Sequence, residues 1–595
     1  MGQGLEMTKR LPRKDVAIIG LGWTGSIMAL ELCRAGLDVV ALERGPWRDT
    51  ATDANIGTAP DELRYGVRLD LFLKPAQESI TMRNKPDQTA LPIRRWGSFL
   101  PPNGVGGAGF HWNGQTWRFL PNDFVIKSHY TERYGAGFFP EGNQIQDWGV
   151  TYDELEPHYD MFERVLGISG VAGNLKGVIQ NEGNPFEGAR SAPYPTPPMK
   201  QGYSQELFTK AARDLGLNPF PRPSANLSTA FTNPYGCTMA PCTYCGFCER
   251  FGCANYSKSS PQTCTLPALM REQNFEARTR CEVTKINLSP DGKHATGVTY
   301  VDAEGQEWEQ PADLVLLCAF SLFNVRMLLI SGIGKPYDRD RGEGVVGRNY
   351  AYQTGSGSTA FFDNVHFNPF AAAGSLGVAA DNYNSDNFDH SGLGFIGGAS
   401  ITNAYTGGRP ITFRPVPPGT PTWGSAWKKA TADTYQKVTS VGAQGSVMSY
   451  RDCFLDLDPT YKDPLGRPLM RMTFDYQDNE RKMARYMAER CVEIAKAMGA
   501  KQTTLNTITG PWSVIPYQTT HNTGGAVMGT DPNTSVLNRY LQSWDVPNVF
   551  VMGASAFPQN AGYNPTGTVG ALTYWALDAI KSQYLKNPGR PLVQA

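Results

Sequence analysis

The segment VAIIGLGWTG, from Val16 to Gly25, constrains the fold of this chain more than any other stretch. Its glycines Gly20, Gly22 and Gly25 follow an apolar run and open a helix-forming run. Such glycines allow a tight turn and a close backbone approach to a pyrophosphate, which the free N–H groups of a helix N-terminus bind. Glu43 follows Gly25 by 18 residues, where a carboxylate accepts hydrogen bonds from ribose hydroxyls. The segment predicts a Rossmann-like dinucleotide site, but the motif alone does not distinguish NAD from FAD.

The apolar pattern around this motif predicts a strand at 16–19, a helix at 24–34 and a second strand at 39–42. These elements make a βαβ unit, which argues against the alternative of a glycine-rich structural turn. Near the other end of the chain, the pattern predicts a strand at 548–552, a glycine turn and a helix from about 565 to 584. A parallel-sheet domain therefore draws its strands from both ends of the sequence.

The middle of the chain has a different character. Residues 350–475 are rich in Gly, Asn, Thr and Pro and carry few helix signals, which predicts an antiparallel sheet with long loops, followed by a helix at 480–498. We therefore predict an α/β plus α+β fold, in which a substrate domain built on an antiparallel sheet is inserted into a Rossmann-like domain. The predicted ranges are 14–130, 237–348 and 525–590 for the nucleotide domain, with a cysteine-rich loop at 237–264, and 131–236 and 349–524 for the substrate domain.

Charge and hydropathy exclude some partners. The 55 basic and 55 acidic side chains leave a formal net charge of zero, so nothing attracts nucleic acid or an anionic membrane over long range. The basic and then apolar N-terminus contains the glycine motif and no small-residue cleavage site follows it, so we predict no signal peptide of its own. The apolar stretch 312–334 carries Asn324 and Arg326 near its middle, and it divides into a β-like and a helical half. A buried strand and helix fit it better than a membrane span.

Four ordered stretches together resemble one family, the glucose–methanol–choline (GMC) oxidoreductases, which use FAD. Besides VAIIGLGWTG, they are NGVGGAGFHWNGQTW, LVLLCAFSLFNVRMLLISGIG and DVPNVFVMGASAFPQNAGYNPTGTVGALTYWA. The resemblance implies that glycines of the second stretch lie along the pyrophosphate and flavin, and that Val283 touches the adenine. It implies that a helix beginning near Pro565 directs its N-terminus at the flavin edge where negative charge collects. The implied cofactor residues are Gly20, Gly22, Gly25, Glu43, Arg44, Gly106, Gly107, Gly109, His111, Asn113, Val283, Gly553, Ala554, Asn564 and Thr566.

His111 has a more specific counterpart. The stretch GGAGFHW is similar to that of pyranose oxidases, in which a histidine is bonded covalently to the flavin 8α-methyl group. The resemblance implies a covalent link between FAD and His111. The alternative is a packed histidine beside Trp112.

His521 and Asn564 occupy the family's two active-site positions, in QTTHNTGG and GYNPTG. Oxidation of an alcohol by a flavin needs a group that removes the hydroxyl proton while hydride leaves the carbon. Histidine suits this role because its unperturbed pKa lies near neutral pH. Asn564 cannot take a proton, but its amide can hold the substrate oxygen and stabilise developing negative charge. We predict His521 as the base; the alternative is a core histidine that is satisfied by backbone groups.

A dense cysteine cluster, APCTYCGFCERFGCANYSK, holds Cys242, Cys245, Cys248 and Cys253 within twelve residues. Structural zinc usually takes two separated ligand pairs, whereas compact cysteine runs suit iron–sulfur clusters. On the residues alone we expect an iron–sulfur cluster with four ligands, [4Fe–4S] in type; zinc, disulfides and free thiols stay open as alternatives.

The same segment resembles the insertion in flavoprotein subunits of bacterial membrane-bound dehydrogenases for gluconate, fructose, sorbitol and glucose. Related members carry a [3Fe–4S] cluster held by three cysteines, although their spacing differs from this one. The resemblance therefore favours [3Fe–4S] over [4Fe–4S]. It favours Cys242, Cys248 and Cys253 as ligands and leaves Cys245 as the doubtful member.

A flavin that takes two electrons beside a cluster that passes one at a time argues for a dehydrogenase rather than an oxidase. The resemblance implies oxidation of the sugar acid D-gluconate to 2-dehydro-D-gluconate, with fructose, sorbitol, 2-ketogluconate or glucose as alternative substrates. It implies two partners: a multihaem cytochrome c subunit, and a small subunit whose twin-arginine signal exports the folded flavoprotein. The chain would then work at the periplasmic face of the bacterial inner membrane and attach to it only through its partners. A flavin-free electron-transfer protein or a zinc-stabilised interaction protein is the alternative from another class.

Overall fold

The computed structural model of the chain describes residues 8–54, 65–76, 78–406, 415–516 and 518–592. Two parts of the predictions lie outside these ranges. Residues 1–7 belong to the N-terminal segment for which we predict no signal peptide, and residues 407–414 belong to the region predicted as an antiparallel sheet. Within them, no helix combines the length and the apolar character that a bilayer crossing requires. The apolar stretch 312–334 instead forms the last part of the strand Glu307–Leu317 and then the helix Ser321–Ser331, as predicted.

The glycine motif follows a central strand of an eight-stranded sheet, which we call the nucleotide sheet. Its parallel part places Lys14–Ile19 between Val39–Glu43 and Glu307–Leu317. Because helices and loops cover both faces, these strands are continuous apolar runs, and Ala17 and Ile18 are fully buried. The other strands of this sheet are Phe275–Thr279 and Val549–Val551, both parallel to their neighbours, the antiparallel strands Ala295–Val301 and Glu282–Leu288, and the short Lys9–Arg10.

Three helices pack around this sheet and confirm the predicted βαβ opening and C-terminal helix. Trp23–Arg34 connects the first two parallel strands, and Ser321–Ser331 follows the long strand. Thr566–Ser582 begins directly after Pro565 and packs on Tyr152–Leu166 and on Trp23–Arg34. Proline is favourable at such a helix start because its missing N–H would have no partner there.

A second sheet of six antiparallel strands, which we call the antiparallel sheet, confirms the architecture predicted for the middle of the chain. In spatial order its strands are Gln502–Thr503, Thr354–Phe361, Val438–Gly445, Ala399–Ala404, Gly377–Ala380 and Pro219–Pro221. The helices Asp478–Ala497 and Tyr203–Asp214 pack against it and bury a separate apolar core. The helix Gly424–Thr434 was not predicted, because that region carries few helix signals.

A third sheet has four strands that come from distant parts of the chain. In spatial order they are Phe454–Lys462, Pro468–Thr473, Thr81–Arg83 and Leu91–Pro92. Two small hairpins pair Phe231–Thr232 with Thr238–Met239 and Asn174–Leu175 with Val178–Ile179. The two main sheets confirm the predicted mixed fold class, and the domain boundaries stay a prediction. The remaining helices are Thr50–Asp53, Tyr65–Arg68, Ala108–His111, Pro121–Phe124, Ile126–Tyr134, Pro261–Cys264 and Leu266–Leu269, with 3-10 turns at Ala136–Phe138, Ala554–Ala556 and Tyr584–Lys586.

Candidate active site

A cavity of about 260 Å³ opens at the carboxyl ends of the parallel strands, where ligands bind in open α/β sheets. It brings together ten of the residues that the sequence predicted for a dinucleotide, although they come from four distant segments. These are Gly20, Gly22, Glu43, Arg44, Gly107, Gly109, Val283, Gly553, Ala554 and Thr566. Gly25, Gly106, His111, Asn113 and Asn564 do not line this cavity, and their positions are described below.

Close backbone contacts explain the glycines of the first loop. A Cβ atom on Gly25 would lie 2.1 Å from the carbonyl oxygen of Gly20, so only glycine lets the helix pack on the turn. Across the cavity, Gly22 and Gly107 approach each other so closely that a Cβ on Gly107 would lie 3.3 Å from Cα of Gly22. The N–H of Gly106 donates to the carbonyl of Leu21 at 2.7 Å. The two predicted glycine stretches therefore form one cradle of backbone groups.

Charged side chains at this cavity are held by the protein. The Glu43 carboxylate accepts hydrogen bonds from the N–H groups of Leu21 at 3.0 Å and Gly45 at 2.8 Å, which keeps it beside the glycine turn. Arg44 forms an ion pair with Glu78, and its guanidinium lies 4.7 Å from the ring centre of Phe323. Glu43 is therefore ordered for ribose hydroxyls, while Arg44 forms part of the cavity wall.

His521 and Asn564, predicted as the catalytic pair, are in direct contact. Asn564 Nδ2 donates to Nε2 of His521 at 2.9 Å, and Asn564 Oδ1 accepts from Gln444 Nε2 at 3.0 Å. On the other side of the imidazole, Nδ1 is hydrogen-bonded to Oε1 of Gln353. Gln353 Nε2 donates to the carbonyls of Ala561 and Tyr563, both at 2.9 Å. These contacts orient the amides on both sides of the ring.

The network selects one tautomer of His521. Because Gln353 uses its NH₂ group on two carbonyls, its Oε1 can only accept, so His521 carries its proton on Nδ1. Nε2 is then unprotonated and faces Asn564. Burial lowers the pKa of His521 to about 3, since the charged imidazolium is poorly solvated there. His521 is therefore a neutral imidazole with its lone pair on Nε2, as a general base requires.

The catalytic pair adjoins the large cavity. Pro565 and Thr566 line that cavity at the start of the C-terminal helix, and the preceding residue, Asn564, lines a second cavity of about 100 Å³. Gln444 and Trp117 also line this second cavity. The chain can thus hold a cofactor on one side of Asn564 and a small substrate on the other.

His111 and Asn113 lie within the second glycine stretch, just after Gly109. His111 is buried, and among the described residues its Nε2 has no hydrogen-bond partner. Burial, assisted by the positive charge of Lys258, lowers the pKa of His111 to about 3, so its imidazole is neutral. Its ring contacts Phe72 edge-on, with the ring centres 4.7 Å apart. Asn113 Oδ1 accepts from the N–H of Gln115 at 3.3 Å, which is a local turn contact.

The four clustered cysteines lie on the irregular loop between the strand Thr238–Met239 and the helix Pro261–Cys264. All four are free thiols, and Cys245 is exposed. In the described ranges no three His, Cys, Asp or Glu side chains are grouped so that they could hold a metal ion, so the insertion is not confirmed as a cluster site.

Each of three of these thiols nevertheless accepts a hydrogen bond. Cys242 accepts from the N–H of Tyr244 at 3.4 Å, Cys253 from the N–H of Lys258 at 3.4 Å, and Cys248 from Asn226 Nδ2 at 3.6 Å. Such donors stabilise thiolates and tune iron–sulfur clusters. The three cysteines that accept these hydrogen bonds are the three that the family resemblance favoured, and their role as ligands stays a prediction.

Lys258 places a positive charge beside these thiols. Its ammonium group is fully buried and donates to the carbonyls of Trp112 at 2.5 Å, Cys248 at 2.9 Å and Phe251 at 2.7 Å. Burial alone would raise the pKa of the Cys253 thiol, but the charge of Lys258 and nearby hydrogen bonds outweigh it and lower that pKa. Because Trp112 directly follows His111, the hydrogen bond from Lys258 to Trp112 also connects the cysteine loop to the segment that contains His111.

Comparisons with known proteins identify the family. Two GMC oxidoreductase models match residues 150–354 and 449–573. The gluconate 2-dehydrogenase flavoprotein of Pantoea cypripedii is 51% identical over an alignment that covers 100% of this chain and 97% of the relative. The chain belongs to the GMC oxidoreductase family.

More distant GMC relatives also match over nearly the whole length. The fructose dehydrogenase large subunit of Gluconobacter japonicus is 26% identical, with 95% of this chain and 97% of the relative covered. Among solved structures, pyridoxine 4-oxidase from Mesorbium loti superimposes with a TM-score of 0.56 at 17% identity, covering 97% of this chain and 100% of that one. This structural likeness shows a shared fold.

The cavity of this GMC oxidoreductase fits FAD. The glycine cradle offers backbone N–H groups, Glu43 is ordered beside it, and the helix Thr566–Ser582 directs its N-terminus at the cavity. A helix N-terminus favours negative charge, which collects on a flavin when it is reduced. His111 does not line this cavity but lies two residues after Gly109, which does, and its buried Nε2 lacks the partner that a buried polar atom normally has.

Sequence reasoning missed several residues of this site. Gln353 and Gln444, which orient His521 and Asn564, lie on strands of the antiparallel sheet or beside them, where no motif marks them. Lys258 follows the cysteine run by five residues, and a lysine amid polar neighbours usually indicates a surface position. The only feature of the sequence that could have indicated a role for Lys258 in the site is its position close to the cysteines.

Proposed function

We propose that this chain is the flavoprotein of a dehydrogenase that oxidises the C2 hydroxyl of D-gluconate to give 2-dehydro-D-gluconate. The observation that carries the proposal is the hydrogen-bond network that leaves Nε2 of His521 unprotonated and in contact with Asn564, which lines the second cavity. The name of the 51% identical relative supports this choice of substrate.

The chain's own groups have separate tasks in this reaction. The substrate hydroxyl takes the place of Asn564 Nδ2 as the donor to His521 Nε2, which then accepts the hydroxyl proton while Nδ1 stays hydrogen-bonded to Gln353. Asn564 Nδ2, held by the contact between its Oδ1 and Gln444, donates to the substrate oxygen as negative charge develops there. FAD, when bound, accepts the hydride that leaves the same carbon. General-base catalysis of this kind contributes roughly 10²- to 10⁴-fold in rate.

We propose that FAD is bonded to the protein through His111. Nε2 of this imidazole is buried, neutral and without a partner among the described residues, so it is available as a nucleophile. The backbone carbonyl of His111 accepts from the N–H of Arg250 at 2.8 Å, which fixes the segment against the cysteine loop.

In this proposal, the cysteine loop holds the group through which electrons would leave the protein. Cys242, Cys248 and Cys253 would hold a [3Fe–4S] cluster, with Cys245 outside the ligand set because it is exposed and accepts no hydrogen bond among the described contacts. A cluster held there would supply one-electron transfer toward an external acceptor. We further propose a multihaem cytochrome c subunit as that acceptor and a small twin-arginine subunit for export, which puts the complex at the periplasmic face of the inner membrane.

A substrate panel tests this function. Purified holoprotein is assayed with an artificial electron acceptor on D-gluconate, 2-ketogluconate, D-glucose, D-fructose and D-sorbitol, and the products are identified by NMR. We expect the highest kcat/KM for gluconate and oxidation at C2. The second candidate, oxidation of a neutral sugar, is favoured by the match to a fructose dehydrogenase large subunit, and a higher kcat/KM for fructose or sorbitol would replace our proposal with it.

A further inference from the structure

Arg222 is a buried cation at the edge of the antiparallel sheet. It follows the strand Pro219–Pro221 and precedes Pro223, so proline rings restrict the backbone on both sides. Its N–H donates to the carbonyl of Gly377 at 3.0 Å. The side chain passes over Gly377, where a Cβ atom would lie 2.8 Å from its Cδ. The direction of the arginine is therefore set by the sheet.

No group in the described chain neutralises this cation. Arg222 is 3% exposed, and its Nε and Nη1 atoms have no hydrogen-bond partner among the described residues. Its one described ring contact is with Trp117, whose ring centre lies 5.9 Å from the guanidinium carbon. Burial lowers the pKa of Arg222 to about 10, which leaves it protonated at neutral pH.

Such burial is costly unless something compensates for it. An unpaired buried charge loses several kcal/mol of solvation, on the order of the estimates for single ions in protein interiors. Two other buried arginines are paired with carboxylates: Arg118 contacts Glu156 and Glu163, and Arg326 contacts Glu78 and Asp463. Arg222 differs from these two in having no carboxylate partner and two N–H-bearing atoms without a partner among the described residues.

That cavity is the one that Asn564 lines. Arg222, Gln444 and Asn564 share the space of about 100 Å³, with Trp117 and Thr402 in its walls. In a 2-hydroxy acid the carboxylate is bonded to the very carbon that bears the reacting hydroxyl. A cation that receives the carboxylate must therefore lie in the same small cavity as the groups that receive the hydroxyl.

We propose that Arg222 binds the carboxylate of the substrate and thereby presents the adjacent C2 hydroxyl to His521 and Asn564. This inference rests on the proposed function and gives it a specificity determinant. A guanidinium with free N–H donors matches a carboxylate in charge and in planar geometry. Arg222 selects 2-hydroxy acids over neutral sugars and selects C2 over the other hydroxyls of a polyhydroxy acid.

The test compares D-gluconate with D-gluconamide, which keeps every hydroxyl and lacks the negative charge. The holoprotein, Arg222→Met and Arg222→Lys are assayed with an artificial acceptor, and the flavin content and unfolding temperature of each are measured. We expect Arg222→Met to lower the ratio of kcat/KM for gluconate to that for gluconamide by about 10- to 100-fold, the range for a lost charge-assisted hydrogen bond. The loss should lie mainly in KM, and Arg222→Lys should retain part of the ratio.

The outcomes separate the inference from the proposed function. An unchanged ratio in Arg222→Met, with gluconate still the preferred wild-type substrate, overturns the inference alone. Equal losses on both substrates, with a lowered unfolding temperature, assign Arg222 a structural role and also overturn it. A wild-type enzyme that oxidises neutral sugars and does not oxidise gluconate overturns the proposed function, and the inference with it. A lowered ratio together with an unfolding temperature that is unchanged or higher in Arg222→Met supports the inference, because removing an unpaired buried charge does not weaken the fold.

Discussion

Gln353 holds the proton of His521 on Nδ1, because the glutamine's own NH₂ group is committed to two backbone carbonyls. A neutral glutamine in this place fixes the ring without adding charge. A carboxylate there would stabilise the imidazolium and raise its pKa. This contact therefore accounts for a histidine that is both oriented and neutral.

Replacement of His521 should strongly lower turnover and leave the cofactor bound. His521→Ala removes the proton acceptor, so we expect kcat to fall by roughly 10²- to 10⁴-fold while FAD stays bound, since His521 does not line the nucleotide cavity. Steady-state kinetics and an absorption spectrum measure both quantities. The exposed His294, substituted in the same way, serves as the control. Near-normal turnover of His521→Ala would remove the assignment of the base.

The pH profile should show the lowered pKa of His521. Because that pKa is about 3, the wild-type kcat should have no acid limb near pH 6.5. Gln353→Glu puts a carboxylate against Nδ1, so we expect its acid limb to appear about 1–3 pH units higher than that of the wild type. Coincident profiles of the two proteins would contradict the role given to Gln353.

The same pKa shift affects stability. The unfolded chain protonates His521 near pH 6.5, whereas the folded chain does so only near pH 3. The unfolded state therefore binds the extra proton between these values, and the free energy of unfolding should fall as the pH is lowered from 6.5 toward 3. In His521→Ala this part of the pH dependence should be absent, which denaturant titrations at several pH values measure.

A covalent flavin should survive acid denaturation. If FAD is bonded to His111, trichloroacetic acid should precipitate a yellow wild-type protein, and His111→Ala should release its flavin into the supernatant. His111 is suited to the bond because its buried Nε2 has no partner among the described residues. Release of flavin from the wild-type protein would show that the link is absent.

Three of the four clustered cysteines should bind the iron–sulfur cluster, and Cys245 should not. We expect Cys242→Ala, Cys248→Ala and Cys253→Ala to lose bound iron, whereas Cys245→Ala retains it, because only the first three thiols accept hydrogen bonds in the described structure. Iron analysis and EPR of the oxidised proteins measure the difference. Cys491, buried in the helix Asp478–Ala497, provides the control. Loss of iron in Cys245→Ala would indicate a four-cysteine cluster.

Local patterns in the sequence were enough to predict the frame of the cofactor site. The apolar runs and glycines around Gly20 predict a strand, a turn and a helix within neighbouring residues, and the structure has them at Lys14–Ile19 and Trp23–Arg34. Such elements depend on hydrogen bonds and periodicity over short distances, which a single sequence displays. The helix Thr566–Ser582 was predictable for the same reason.

The residues that tune the site were not predictable in this way. Gln353 and His521 are 168 positions apart, and their contact arises only when two segments meet in three dimensions. Arg222 stands between two prolines, in a context typical of an exposed loop, and its burial is set by strands that lie more than a hundred residues further on. Whether a buried polar group has a partner is a property of the packed structure.

An anaerobic titration of the purified holoprotein with D-gluconate, followed by visible absorption and EPR, tests whether electrons from gluconate reach both the flavin and the cluster. We expect the flavin bands to bleach and the paramagnetic signal of the oxidised [3Fe–4S] cluster to disappear as gluconate is added. A flavin that stays oxidised with gluconate, or one that bleaches in a protein with no cluster signal at any stage, would contradict the proposed function.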